Sequence, residues 1–325
     1  MDDLQQALTP LAPQLDAGAT TVVNLRRLSG GASQETWAFE TDTGAPMILR
    51  RKPPSATGSG NAVPLATEAA LIRAAAAKGA IVPRVLAESA PDSEIGEAYV
   101  MARLEGETLG KRITRDPPFE TIRPGLAAQC GKALAAIHAV PTEGLPPLVT
   151  SSALTELEKY EAVYRGSGAE RPIFEAAIRF LRDRAPSLET PVLVHGDFRN
   201  GNIMVHPEQG LVGVLDWELA HLGDPAEDMG WICTRSWRFG GTKPVGGFGD
   251  YADLLDAYHA AGGREISLER VLYWEMLGSL KWGCMCLTMY MAYASGADAS
   301  VERAMIGRRA SETEIDLVAL LEQAA

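Results

Sequence analysis

The chain is short of several things, and each shortage narrows what it can be. Its 325 residues include four cysteines, Cys130, Cys233, Cys284 and Cys286. None has zinc-ligand spacing and Cys284-Met285-Cys286 is not a CxxC pair, so they read as small buried hydrophobes in a reducing compartment. Positive charge is scarce: 30 Lys and Arg against 42 Asp and Glu leave a net charge of −12. A general nucleic-acid binder needs a basic face, so that class is set aside. No apolar run is uninterrupted over a membrane's thickness. The longest, residues 271–294, carries Glu275 and Lys281 and reads as a buried core helix rather than a membrane span. The first ten residues, MDDLQQALTP, are acidic and polar, unlike a signal peptide. There is no internal repeat, low-complexity tract or long linker. What remains is ordinary globular composition, 46% hydrophobic and 22% charged, at a length suited to about two domains. A cytoplasmic enzyme free of membrane and nucleic acid is expected.

One stretch dominates, residues 192–231, VLVHGDFRNGNIMVHPEQGLVGVLDWELAHLGDPAEDMGW, the only dense cluster of His, Asp and Asn. Residues 192–195 read as a short strand, 196–201 as a polar turn, and 203–206 and 211–215 as two strands joined at Pro-Glu-Gln-Gly. A hairpin there brings Asn202 close to Asp216. Two oxygen ligands beside the further carboxylate of Asp197 suit Mg²⁺ on a phosphate chain, where water and phosphate complete the shell. Turn-forming Asp and Asn account for one or two such residues, but not for the ordered set.

His195-Gly196-Asp197, then Asn202 and the later Asp216-Trp217, follow the catalytic-loop logic of protein kinases. The stretch closely resembles the aminoglycoside phosphotransferase and choline-kinase-like family, whose signature is HGDxxxxN followed by D-W or D-F. The resemblance implies an α+β, protein-kinase-like fold of two lobes. Residues 1–103 are the nucleotide-binding lobe, a five-stranded antiparallel sheet with one main helix. Residues 104–325 are a mainly helical lobe with a short catalytic hairpin that binds the acceptor. It also implies ATP and Mg²⁺ as cofactors, Asp197 as the group that aligns and deprotonates an acceptor hydroxyl, and Asn202 and Asp216 as metal ligands. His195 reads as a buttress of the loop, and Asp228 as the residue that bonds the loop backbone. Arg199 is either a phosphate contact or a surface residue. Only a few residues separate Asp216 from the next helix, too few for the activation segment of a protein kinase, so a small-molecule acceptor is expected.

Upstream, residues 21–28, 35–41 and 46–51 read as strands, with Ser29-Gly30-Gly31-Ala32-Ser33 at the first turn. Glycines let backbone amides approach phosphate without a Cβ in the way. The family carries a similar loop here, which makes Gly30, Gly31 and Ser33 the nucleotide-phosphate candidates. In the Ala-rich helix 64–78, Leu65, Glu68 and Ile72 share a face. Glu68 therefore points inward and wants a cation. Arg50 stands where kinases keep a strand lysine, with Arg51 and Lys52 adjoining as alternatives; a first-turn acid favoured by the helix dipole is the other reading of Glu68. Strands at 84–88 and 97–101 complete the sheet. Met101 and the hinge 102–106 are implied to meet the adenine edge. Helices are expected over 119–139, 152–164, 171–184, 251–261, 268–294 and 301–323, with His138 a structural residue.

The acceptor is the open question. Residues 229–249 hold Arg235, Arg238 and Lys243 and no acid. Arginine grips carboxylate or phosphate, whereas a polycationic aminoglycoside wants carboxylates. Arg235 and Arg238 are therefore candidates for an anionic acceptor; pairing with the chain's own acids is the alternative. The run Thr234–Gly240 resembles the subgroup found as kinase-like modules joined to acyl-CoA dehydrogenases, which points to a hydroxy acid or hydroxyacyl thioester. The competing functions are an aminoglycoside or choline/homoserine-type kinase, a hydrolase with a metal on His195, Asp197 and Asp216, and a non-catalytic nucleotide-binding module.

Overall fold

The computed structural model describes residues 2–30, 34–52 and 62–324. Short apolar runs between turn residues build the strands β1 (Val22–Gly30), β2 (Glu35–Thr41), β3 (Pro46–Arg51), β4 (Val85–Ser89) and β5 (Ala98–Ala102). They form one antiparallel sheet in the order β1-β2-β3-β5-β4. Side chains alternate across a strand, and two cores follow from that parity. Trp37, Phe39, Met47, Leu49 and Val100 pack under the helices α1 (Asp2–Leu8) and α2 (Ala12–Leu15). Ala38, Ile48, Tyr99 and Met101 face α3 (Leu65–Ala77), and this core continues into the helical lobe. The same parity sends neighbouring arginines to opposite faces: Arg51 Nε donates to Glu35 at 2.7 Å, while Arg50 turns toward α3 and Glu68.

The chain leaves the sheet at Arg103, and a pair of backbone hydrogen bonds, each 2.9 Å, ties Glu107 to Val205. The helices α4 (Gly110–Arg115), α5 (Leu126–His138), α6 (Ala153–Gly166) and α7 (Pro172–Asp183) follow. Next come the short strands β6 (Val192–Val194), β7 (Ile203–His206), β8 (Gly210–Val214) and β9 (His221–Gly223). β7 and β8 form the expected hairpin, and β6 pairs with β9. The chain ends in α8 (Pro225–Cys233), α9 (Tyr251–Ala260), α10 (Leu268–Ala294), α11 (Val301–Gly307) and α12 (Ala310–Ala324). The apolar run with its two charges is α10, which packs against α6, α7, α8, α11 and α12. Among the described residues no helix is long and apolar enough to cross a membrane.

Two expectations change, and two elements were not expected. The helix expected from residue 119 starts at Leu126, because Arg123-Pro124-Gly125 makes a 3-10 turn first. The helix expected over 301–323 is two: α11 stops at Gly307, which packs so closely on Tyr290 that a Cβ there would lie 2.7 Å from the tyrosine's Cβ. α4 and β9 had no legible pattern, being six and three residues long.

Candidate active site

The hairpin places the central residues. Leu215 N donates to Asn202 O at 2.8 Å, extending the β7–β8 ladder by one pair. Asp216 follows with φ +68°, a left-handed conformation that Asp tolerates better than most side chains. Trp217 is fully buried, its ring edge against His195 with centroids 4.9 Å apart. Burial lowers the pKa of His195 despite the nearby acids, which keeps the imidazole neutral. Its Nδ1 accepts Asp197 N–H at 3.2 Å and its Nε2 donates to Leu215 O at 3.0 Å. Both ring nitrogens are thus engaged with backbone.

Asp228, the fourth residue after the N-cap of α8, is buried beneath this loop. Its carboxylate accepts the N–H groups of His195 (2.8 Å) and Gly196 (2.9 Å) and lies 3.1 Å from His138 Nε2. Burial opposes the charge, but His138 and the backbone donors outweigh it and hold this carboxyl below its ordinary range.

Asp197 is bound on both oxygens. Asn202 Nδ2 donates to Oδ2 at 2.5 Å, and also to the main-chain carbonyl of Asp197 at 3.0 Å. Trp231 Nε1 and Arg199 Nε donate to Oδ1 at 2.6 and 3.0 Å. The Arg199 guanidinium lies 4.6 Å from the ring centroid of Trp237. Asn202 Oδ1 accepts no hydrogen bond among the described residues.

A second group crosses from the sheet. Arg50 Nη2 is 3.7 Å from Glu68 and donates to Gln34 Oε1 at 2.6 Å, and Nη1 is 3.2 Å from Asp216 Oδ1. Tyr99 hydroxyl donates to Glu68 at 3.1 Å. Burial pushes the Glu68 carboxyl up to about 7 against the pull of Arg50, with Asp216 and Glu218 adding like charge. Asp216 Oδ1 is within ion-pair distance of Arg50 but is buried with no aligned hydrogen-bond donor. A carboxylate oxygen without an aligned donor suits a hard cation that prefers oxygen ligands, and Asn202, whose backbone is bonded to Leu215 next to Asp216, offers an amide oxygen.

Of the expected site residues, Asp197, Asn202, Asp216, Arg50 and Glu68 thus come together across the two lobes. Gly30 is the last residue of β1, opposite Glu35. Gly31 and Ser33 lie outside the described residues. Met101 is buried in β5 between Ile48 and Val85, two residues before the chain leaves the sheet.

Arg235 and Arg238 do not join this group; each meets one of the chain's own acids, the alternative reading of the pair. Arg238 Nη2 donates to Glu275 at 2.6 Å and its Nε to Cys233 O at 3.0 Å. Arg235 lies 3.5 Å from Asp316. They line a separate cavity of about 270 Å³ with Glu275 and Asp316. Charge counted along residues 229–249 omitted the acids that α10 and α12 bring to the same place. The residues missed by sequence reading are Gln34, Tyr99, Glu218 and the indole N–H of Trp231. Only strand parity could have suggested Tyr99.

A five-stranded antiparallel sheet over a helical lobe, with an Asp-Asn-Asp set on a hairpin between them, defines a protein-kinase-like phosphotransferase fold. The chain belongs to the phosphotransferase enzyme family (APH), whose model matches residues 24–272. Mouse acyl-CoA dehydrogenase family member 10 is 28% identical over 232 residues, 67% of this chain and 21% of the mouse protein. The match therefore spans about a fifth of that relative's length. A protein from Ralstonia eutropha JMP134, provisionally named an aminoglycoside phosphotransferase, has a TM-score of 0.76 at 21% identity, covering 98% of both chains. Spectinomycin phosphotransferase APH(9)-Ia, solved with ADP and spectinomycin, has a TM-score of 0.60 at 13% identity over 96% of this chain and 98% of that one. The expected family and fold are borne out.

Proposed function

We propose that this protein is an ATP- and Mg²⁺-dependent kinase that moves the γ-phosphoryl group to a hydroxyl of a small molecule. The observation that carries this reading is Asp197, held by Asn202 on one oxygen and by Trp231 and Arg199 on the other, beside Asp216. An acceptor hydroxyl at this carboxylate would be aligned and would hand its proton to it. Asn202 and Asp216 would hold the metal, whose chemistry is to neutralise phosphate charge. Arg50, kept in place by Glu68 and Gln34, would face the nucleotide phosphates. A hydrolase with a metal on His195 is disfavoured, since both imidazole nitrogens already meet backbone groups.

The acceptor we favour is a hydroxy acid or hydroxyacyl thioester rather than an aminoglycoside. Kinship with acyl-CoA dehydrogenase family members supports it, as does the wall of Trp231 and Trp237 with Arg199 upon it. Four free, buried cysteines accord with a reducing cytoplasm. The test incubates the protein with MgATP and, in separate reactions, kanamycin, choline, and hydroxy acids free or as CoA thioesters, and follows products by phosphorus-31 NMR. Phosphorylation of the hydroxy acids or thioesters is expected, lost on chelation of Mg²⁺ and reduced about 10²–10⁴-fold in Asp197→Ala. Efficient turnover of kanamycin or choline instead would overturn the acceptor, and an unimpaired Asp197→Ala would overturn the site.

A further inference from the structure

Lys281 is 9% exposed in the middle of α10, on the side that faces α6 and α8. An ammonium loses much of its hydration at such a place, and its charge must be recovered from neighbours. No carboxylate lies within 4 Å of it among the described residues. Two aromatic faces flank it instead. The ammonium is 4.6 Å from the Trp231 ring centroid and 5.5 Å from that of Tyr160. Glu227, Glu156 and Asp197 act on it without coming within ion-pair distance, and Glu227 already meets His221 at 3.1 Å.

The Trp231 ring is fixed on its other sides as well. A Cβ on Gly278, one turn before Lys281, would lie 3.1 Å from the ring, and a Cβ on Gly230 would lie 2.5 Å from Trp274. Glycine at both positions lets α8 and α10 approach until the indole rests on the α10 backbone. The ring then has Gly278 and Lys281 on α10 against it, and its N–H reaches Asp197 at 2.6 Å.

We infer that Lys281 is a positioning residue: by its cation–π contact it orients Trp231, whose indole N–H fixes the carboxylate of Asp197 for phosphoryl transfer. The inference rests on the reading of Asp197 as the group that meets the acceptor hydroxyl. A rotation of Trp231 would release Oδ1 and leave Arg199 as its only donor among the described residues. A misplacement of about 1 Å in a reacting group costs on the order of 10²-fold in rate. The helix α6 acquires a role in this arrangement, since it contributes Tyr160 to the far side of the ammonium.

The test uses the 325-residue chain labelled with nitrogen-15 at tryptophan, which gives six indole signals, one per Trp. Trp231→Phe identifies the signal of Trp231, and Asp197→Asn shows where it falls when the acceptor loses its charge. In Lys281→Met the Trp231 signal should move toward its Asp197→Asn position. With MgATP and a hydroxyacyl-CoA thioester, kcat should fall by about 10–100-fold while the KM for ATP stays put. Lys281→Arg, which keeps the cation, should restore most of both. If Lys281→Met does not fold, Trp231→Phe should show the same kcat loss, and Lys281→Arg the wild-type signal and rate. An unmoved Trp231 signal, or a moved signal with wild-type kcat, overturns the inference. Should Asp197→Asn itself turn over normally, it is the reading of Asp197 that fails. Where wild type turns over no thioester, the acceptor proposal fails and the indole signal in Lys281→Met alone decides.

Discussion

Asp228 anchors the turn that carries Asp197 by taking both the His195 and the Gly196 backbone N–H, one on each carboxylate oxygen, at 2.8 and 2.9 Å. Those donors are buried and belong to a turn that Gly196 makes at φ +78°. Asp228→Ala would strand them and His138 together. Loss of about 3–5 kcal/mol in urea unfolding is expected, from several buried donors left unpaired at about 1–3 kcal/mol each. A loss under about 1 kcal/mol, within the scatter of ordinary substitutions, would show that the turn holds without its anchor.

Asp216→Asn separates charge from backbone. Asn tolerates φ > 0 as Asp does, so the strand end keeps its shape. Calorimetry should show weaker nucleotide binding in the presence of Mg²⁺ and little change without it. Asp197→Ala should bind MgATP as wild type does. The reverse pattern would exchange the roles of the two carboxylates.

Glu68→Ala removes the partner that Arg50 meets from α3 and leaves Tyr99 without its acceptor. The KM for ATP should rise about tenfold and that for the acceptor much less, as when one charge-assisted contact is lost. A larger change in acceptor KM would place the pair in a different role.

Stability should depend on pH through His221. Burial lowers its pKa, but Glu227 at 3.1 Å more than offsets that and raises it to about 9. The folded value lies above the ordinary 6.5, so the contribution is complete below about pH 6.5 and lost as pH rises through about 9. It amounts to on the order of 2–3 kcal/mol. Denaturant midpoints should fall across that window, and His221→Gln should flatten the fall. An equal slope in both proteins would assign the dependence elsewhere.

Arg238→Ala leaves Glu275 buried, with Tyr251 as its remaining donor, and should cost about 3–5 kcal/mol. Arg235, 61% exposed at its side chain, should cost under about 0.5 kcal/mol. Neither should change acceptor KM beyond what unfolding explains. A selective rise in acceptor KM in folded Arg238→Ala protein would return that arginine to the acceptor site.

Much of the candidate site was legible because it is local. Gly196, Asp197, Asn202 and Asp216 lie on one loop and one hairpin, so their spacing alone brings Asn202 beside Asp216. Strand parity makes Arg50 and Arg51 point opposite ways, and helical phase sends Glu68 inward. The arginines of residues 229–249 misled for the opposite reason. A count of charge along a segment does not say which face each side chain takes, and the acids that neutralise Arg238 and Arg235 arrive from residues 275 and 316. The signal that could have corrected this was present: Glu275 and Lys281 are lone charges in the otherwise uncharged run 271–294, and each therefore needs a partner from another element.

By itself, the sequence determined the family, the two-lobed fold, the β7–β8 hairpin and the parity of its strands and helices, because these follow from periodicities and turns that short segments impose on themselves. Tertiary structure decided the rest. It joined Arg50 to Asp216, Asp228 to the backbone of His195, Trp231 to Asp197 and Arg238 to Glu275. Each of these contacts spans residues between 33 and 166 positions apart or crosses two packed elements. A charged side chain buried at such distances has many acids and bases to choose from in the chain. Only the packing of α8 on α10, and of the sheet over the hairpin, selects the one close enough to repay its lost hydration.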